Sequence, residues 1–470
     1  MSSQQSTDLS QVIPFQEKFG YALGDFASNL FWMPFVLYGT YFYTDVFGIS
    51  ALSVGVMLLV TRIWDVVNDP VMGIIADRNP PREDLGKYRP FLFWFAVPFG
   101  LVGATAFFTP DLSPTGKLVY AWVTYVAFGM IYTVINIPYS ALMSVMSKEP
   151  GERNSTSFFR MIGAQSAGLL VSSSLMTLIA KLGGESAQRG FFLTMAIFAV
   201  IAVLCFFLTG KLTKERIKPA AKPEGELAKD MRAIFTNIPW WILFFVAFFT
   251  IAAFTIRFGV AAYYFKYYAD QAAVEAWDIG FIKGGAISAF FTFGTIFSLL
   301  GVVVFSFFAK TIDKKKMYFT LIIISGFVSV YFYYIPNTNI TTIIATQAVF
   351  SFLTGPTAAI LFAMYTDIAA YIKYHSGSDS SGLVMSAGSL SQKFGWAVGG
   401  SLTGILLGLA GYEPGQEQTA NVKEIMSIMM SWAPMAASLL GALAMLIYPL
   451  DDKKMRAITD ELAVQETQES

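Results

Sequence analysis

Along this chain, long apolar runs alternate with short polar ones. A helix needs about 20 apolar residues to cross the hydrocarbon core of a bilayer. That length predicts twelve spans, near 20–45, 51–76, 89–109, 118–147, 157–180, 190–210, 238–266, 280–309, 317–336, 339–370, 381–411 and 425–449. Several stretches, such as 118–147, 284–309 and 337–366, hold no charged residue at all. The longest polar stretch, Lys211 to Arg232, falls midway along the chain. It predicts a cytoplasmic linker over 211–237 between two six-helix halves, 1–210 and 238–470. The loop after the second span, "GIIADRNPPREDLGKYRP", has a weak echo after the eighth, "FAKTIDKKK". Span number, linker position and echo together predict an all-α membrane protein of twelve transmembrane helices in two bundles, the repeat architecture of major facilitator transporters.

Composition agrees. Of 470 residues, 55% are hydrophobic and 14% charged, and mean hydropathy is +0.55. Soluble domains carry about 25% charged residues. Net charge is zero and no basic domain stands out, so no nucleic-acid partner is expected. Cys205 is the single cysteine, which excludes a disulfide framework. The polar first 18 residues lack the layout of a cleavable signal, so the first span is expected to be retained. With even topology, 23 lysines and arginines fall on one set of ends and loops against about six on the other. The basic side stays inside, which places both termini in the cytoplasm and the protein in the inner (plasma) membrane. Arg62, Arg257 and Lys393 fall within spans.

The second span carries "RIWDVVNDPVMG". Charges at that depth are costly and tend to be functional. Asp65 and Asp69 are four residues apart and Arg62 three before Asp65, so they share a helix face, with Asn68 at its edge. Two carboxylates and a carboxamide suit a hard cation such as sodium. Pro70 removes an N–H and frees a carbonyl one turn back. An ion-pair network with Arg62 is the plainer reading of the same residues. The first span carries Asp25, Asn29 and Trp32 on one face, and the fourth Tyr132, Asn136 and Ser140 at spacings of four. The eleventh carries Ser389 and Lys393. Carboxamides, hydroxyls, an ammonium and aromatic faces are the equipment of a sugar pocket, although such groups also serve plain helix packing. The lone histidine, His375, reads as a surface residue. The sequence shows no metal cluster, nucleophile–base pair or phosphate loop, so it predicts no enzyme.

The pieces "FGYALGDFASN", "YFYTDVFGI", "RIWDVVNDPVMG", "GKYRPF", "YTVINIPYSAL", "FFR" and "SAGSLSQKFGWAVGGSLTG" resemble the glycoside–pentoside–hexuronide:cation symporter family, the melibiose-permease-like branch of the major facilitator superfamily. The resemblance runs over nearly the whole chain. It implies alternating access and symport of a glycoside, pentoside or hexuronide into the cell with Na+ or H+, and no cofactor beyond that cation. It implies a cation site of Asp65, Asn68 and Asp69, with Tyr132, Arg160 and Lys393 at the sugar. Arg160 matches only with one gap allowed. Asn29 and Asn136 stand where galactoside-binding aspartates are found in the family, so galactoside specificity does not carry over. The loop after the tenth span, "AYIKYHSGSD", exchanges the family's charges, and Lys373 with Asp379 is the expected inner gate, two solvated charges being the plainer reading of the same pair. A lysolipid or other small-molecule transporter of the same fold is the alternative; a membrane-embedded enzyme or receptor stands further off.

Overall fold

The computed structural model describes residues 12–217, 226–278, 285–308, 311–376 and 381–469. The chain forms two compact units, one holding the described residues up to 217 and the other those from 226 onward.

The first unit comprises α1 (Phe15–Tyr41), α2 (Ala51–Arg78), α3 (Arg89–Thr105), α4 (Pro114–Met146), α5 (Pro150–Gly183) and α6 (Ala187–Leu212). The second comprises α7 (Glu226–Phe235), α8 (Ile238–Tyr263), α9 (Gln271–Ala276), α10 (Gly285–Phe308), α11 (Lys314–Tyr333), α12 (Ile340–Ser376), α13 (Ser381–Leu409), α14 (Ala420–Met430), α15 (Trp432–Ile447) and α16 (Asp452–Glu469). A π-helical turn extends α1 over Phe42–Val46, and another extends α8 over Tyr264–Tyr268. Helices stand at all twelve expected span positions. Among the described residues, nine are long and apolar enough to cross a bilayer, and α3 is apolar but shorter. Large apolar side chains on these helices, such as Leu101, Val123, Val200 and Phe327, are more than half exposed. In a spanning helix, that surface faces acyl chains.

Local sequence sets the helix starts. Ser50, Ser113, Ser186, Asn237, Asp313 and Thr419 each accept a backbone N–H from the first turn of the helix that follows, satisfying donors that have no intrahelical partner. Pro90, Pro114, Pro150 and Pro239 occupy first-turn positions, where a missing N–H costs nothing.

Two expected segments turned out differently. The linker region is partly helical, because α7 lies within 211–237 and seats Ile234 in the apolar core with Trp240. The last span is broken. Ser431, with φ −125° and ψ −75°, separates α14 from α15.

Each unit is fastened at one rim. In the first, the Glu215 carboxylate accepts the backbone N–H groups of Lys87, Tyr88 and Arg89 at 2.8, 2.8 and 3.0 Å, capping the positive end of α3. Gly86, at φ +76°, brings the chain there in a left-handed conformation, and a side chain at that position would collide with Glu215. The next residue, Arg216, holds Glu17 by both nitrogens of its fork, at 2.7 and 2.9 Å. In the second unit, Asp452 accepts the Lys314 N–H at 3.2 Å at the start of α11, while Asp313 accepts the Asp452 N–H at 2.8 Å. Lys314 also pairs with Asp367.

Candidate functional site

In the first unit, α2 and α4 run side by side in parallel and meet in three successive rungs. Arg62 donates to Tyr125 Oη at 2.9 Å. One rung along, a Cβ at Gly129 would lie 3.3 Å from Asp65 Oδ1, so the absence of a side chain lets the carboxylate approach α4. At the third, Thr133 Oγ1 donates to Asp69 Oδ1 at 2.9 Å. The α4 residues 125, 129 and 133 recur every four positions and so form one face. Between the two carboxylate rungs, Asn68 Nδ2 is buried without a hydrogen-bond partner. A buried amide N–H left unsatisfied is costly. The helix runs through Pro70 unbroken. Since proline has no N–H, residue 66 has no helical donor for its carbonyl.

The ion pair expected of "RIWDVVND" forms at one of its two carboxylates. Arg62 Nη1 forms an ion pair with Asp65 Oδ2 at 2.9 Å, and its guanidinium carbon lies 4.7 Å from the centre of the Trp32 ring. Asp69 accepts a hydrogen bond from the neutral Thr133 hydroxyl. Arg62 thus sits on one carboxylate of the pair and leaves the two acids in different surroundings.

Helices α1 and α4 run antiparallel against this edge. Trp32 and Tyr132 place their ring centres 5.5 Å apart. Ser28 donates to Asn136 Oδ1 at 2.9 Å, Asn136 Nδ2 to the Tyr132 carbonyl at 3.1 Å, and Asn29 Nδ2 to the Asp25 carbonyl at 2.8 Å. Tyr21 and Tyr139 stack at 4.6 Å, each hydroxyl donating to the other's backbone carbonyl. Each carboxamide keeps one N–H beyond these bonds. From α5, Arg160 Nε reaches Asp25 Oδ1 at 3.4 Å, with its guanidinium 5.4 Å from the centre of the Tyr139 ring.

The first unit thus brings together Asn29, Asp65, Asn68, Asp69, Tyr132, Asn136 and Arg160. Lys393 is exposed on α13 of the second unit, and Lys373 is half-buried in the last turn of α12. Asp379, its expected gate partner, lies outside the described residues. Sequence reasoning missed Thr133, Tyr125 and Ser28. The four-residue spacing of Tyr125, Gly129 and Thr133 was visible, but only the pairing of α2 with α4 gives it meaning. Among the described residues, no group of three or more His, Cys, Asp or Glu could hold a metal ion.

The second unit has one fully buried guanidinium among its described residues. Arg257 Nε donates to Gln347 Oε1 at 2.7 Å, and Nη1 to Ser329 Oγ at 3.3 Å and to the Met430 carbonyl, at the break between α14 and α15. The faces of Phe332 and Phe350 flank it at 4.5 and 4.6 Å.

An all-helical chain with membrane-length apolar helices, two compact units and charges gathered midway along one of them is a solute carrier of the major facilitator fold. The crystal structure of a D-xylose–proton symporter has that fold, with a TM-score of 0.68 at 12% identity over 92% of this chain and 97% of the other. The family model described as MFS/sugar transport protein matches residues 20–452, and the chain belongs to that family. It is 30% identical to the putative glycoside/cation symporter YagG of Escherichia coli (strain K12), covering 95% of this chain and 94% of that one. It is 32% identical to the isoprimeverose transporter of Lactiplantibacillus pentosus, over 96% and 91% of the two chains. The protein is a membrane-embedded transporter, not an enzyme.

Proposed function

We propose that this sugar transporter is a symporter that carries a glycoside, pentoside or hexuronide into the cell by alternating access, driven by Na+ or H+. The observation that carries this reading is the α2–α4 ladder, with two carboxylates on adjacent rungs and the unpartnered Asn68 amide between them. Asp65, Asn68 and Asp69 hold the cation, and the Thr133 hydroxyl supplies a further oxygen. Asn29, Tyr132, Asn136 and Arg160 bind the sugar. Lys373 and Asp379 close the inner gate. The protein lies in the inner membrane with both termini in the cytoplasm.

Energetics make this coupling useful. A membrane potential of 100 mV contributes about 2.3 kcal/mol per charge, and a tenfold ion gradient about 1.4 kcal/mol more. Together they would concentrate a neutral sugar about 500-fold. Since both ligands favour the same closed form, each tightens the other by the same factor.

A counterflow screen of pentosides, hexosides and hexuronides in proteoliposomes, with and without sodium and across a pH step, tests the reading. It expects exchange of one sugar class and accumulation only with the cation gradient. Lysolipid movement without sugar exchange would favour the alternative, which membership in a sugar-transport family does not.

A further inference from the structure

Midway along the helices of the first unit, the described charged side chains are Asp25, Arg62, Asp65, Asp69 and Arg160. Asp25 and Arg160 each stand about ten residues into α1 and α5, and Asp69 and Asn136 about as far from the ends of α2 and α4. At 1.5 Å per residue that is roughly 15 Å, half the thickness of a bilayer core. The group holds three carboxylates and two guanidiniums, so one monovalent cation brings it to neutrality. Each arginine already has a carboxylate: Arg62 has Asp65 at 2.9 Å, and Arg160 has Asp25 at 3.4 Å.

An arginine fork is the usual reader of a carboxylate. Here Asp25 occupies the Nε edge of Arg160, the Tyr139 ring lies under its face, and Asn29 is tied to the Asp25 backbone. The pair is asymmetric, with the Arg160 side chain 33% exposed and that of Asp25 14%. The carboxylate is the more buried partner, and the guanidinium has N–H groups beyond its Nε contact. Such donors suit hydroxyls. An arriving carboxylate would meet Asp25 beside the arginine and would leave the cation-loaded group with one negative charge too many.

We infer that the substrate is a neutral sugar or glycoside, not a hexuronide, and that Asp25 is the positioning residue that sets this choice by holding and neutralising Arg160. The inference rests on the sugar-symport reading and narrows its substrate class.

The test is counterflow by the full-length protein in proteoliposomes. Methyl glucosides and galactosides of both anomers compete against their matched methyl uronides, with methyl pentosides alongside. In the wild type, the neutral member of a transported pair should compete at least tenfold better than its uronide. In Asp25→Asn that ratio should fall at least tenfold, while Asp25→Glu should keep it. Adding Arg160→Gln to Asp25→Asn should restore preference for the neutral member, which a purely structural role for the pair does not require. Wild-type preference for the uronide, as would follow if Lys393 served the carboxylate, overturns the inference while symport stands. So does an Asp25→Asn protein that exchanges neutral sugar with an unchanged ratio. If Asp25→Asn does not reach the membrane, the wild-type ratio still decides. Counterflow of none of the panel overturns the symport reading itself.

Discussion

The two units share a fastening and differ in their interiors. In each, the residue just beyond the sixth span turns back to cap the third: Glu215 at the start of α3, and Asp452 at the start of α11. The rim is thus repeated, as the faint echo between "ADRNPPREDLGK" and "AKTIDKKK" suggested. Inside, the first unit pairs Arg62 and Arg160 each with a carboxylate and sets Asp69 against the Thr133 hydroxyl. The second buries Arg257 against a carbonyl, a carboxamide, a hydroxyl and two aromatic faces. A guanidinium held by fixed dipoles has nothing to trade with an incoming ion. A carboxylate-rich ladder does. The comparison teaches that repeated architecture need not repeat chemistry.

The strongest way to break this comparison is to neutralise the ladder. Asp69→Asn should abolish cation-driven accumulation, removing the roughly 500-fold gradient available, while sugar exchange persists weakly. Accumulation with unchanged cation dependence in both Asp69→Asn and Asp65→Asn would make these acids structural. The equivalent blow to the second unit should appear in stability instead. Arg257→Met takes the donor from Gln347 Oε1 and leaves the Met430 carbonyl only a long bond from Ser329, and should cost about 3 kcal/mol, read as a lowered midpoint of thermal unfolding in detergent. If cation dependence shifted and the midpoint did not, the division between the units would fail.

Asn136→Ala sharpens the boundary between cation and sugar. It should weaken sugar binding by about 1–3 kcal/mol, or 5- to 150-fold, and leave cation affinity in the absence of sugar unchanged, as direct binding of both ligands would reveal. The smallest effects belong to the shared rim. Glu215→Ala and Asp452→Ala should each destabilise by about 1–2 kcal/mol. Thermal unfolding that moves with one and not the other would show that the two caps are not equivalent.

Apolar run length fixed the positions of the helices, because crossing a bilayer takes a set number of residues whatever surrounds them. Period alone put Asp65 and Asp69 on one face, since 3.6 residues per turn leaves no choice. The break at Ser431 and helix α7 escaped that reading. The first is a backbone departure within an apolar run, and the second depends on Ile234 finding a core to enter.

Likewise, the sequence supplied both the sugar-site candidates and the plain fact that they are polar in apolar surroundings. It left open which acid of α2 Arg62 answers, and gave Asp25 no partner of its own. Those decisions needed the tertiary structure. Whether Asp69 meets Thr133, or Asp25 meets Arg160, depends on which helices become neighbours and in what register. A helix determines by itself only the direction in which each side chain points; what stands opposite is set by packing against another part of the chain.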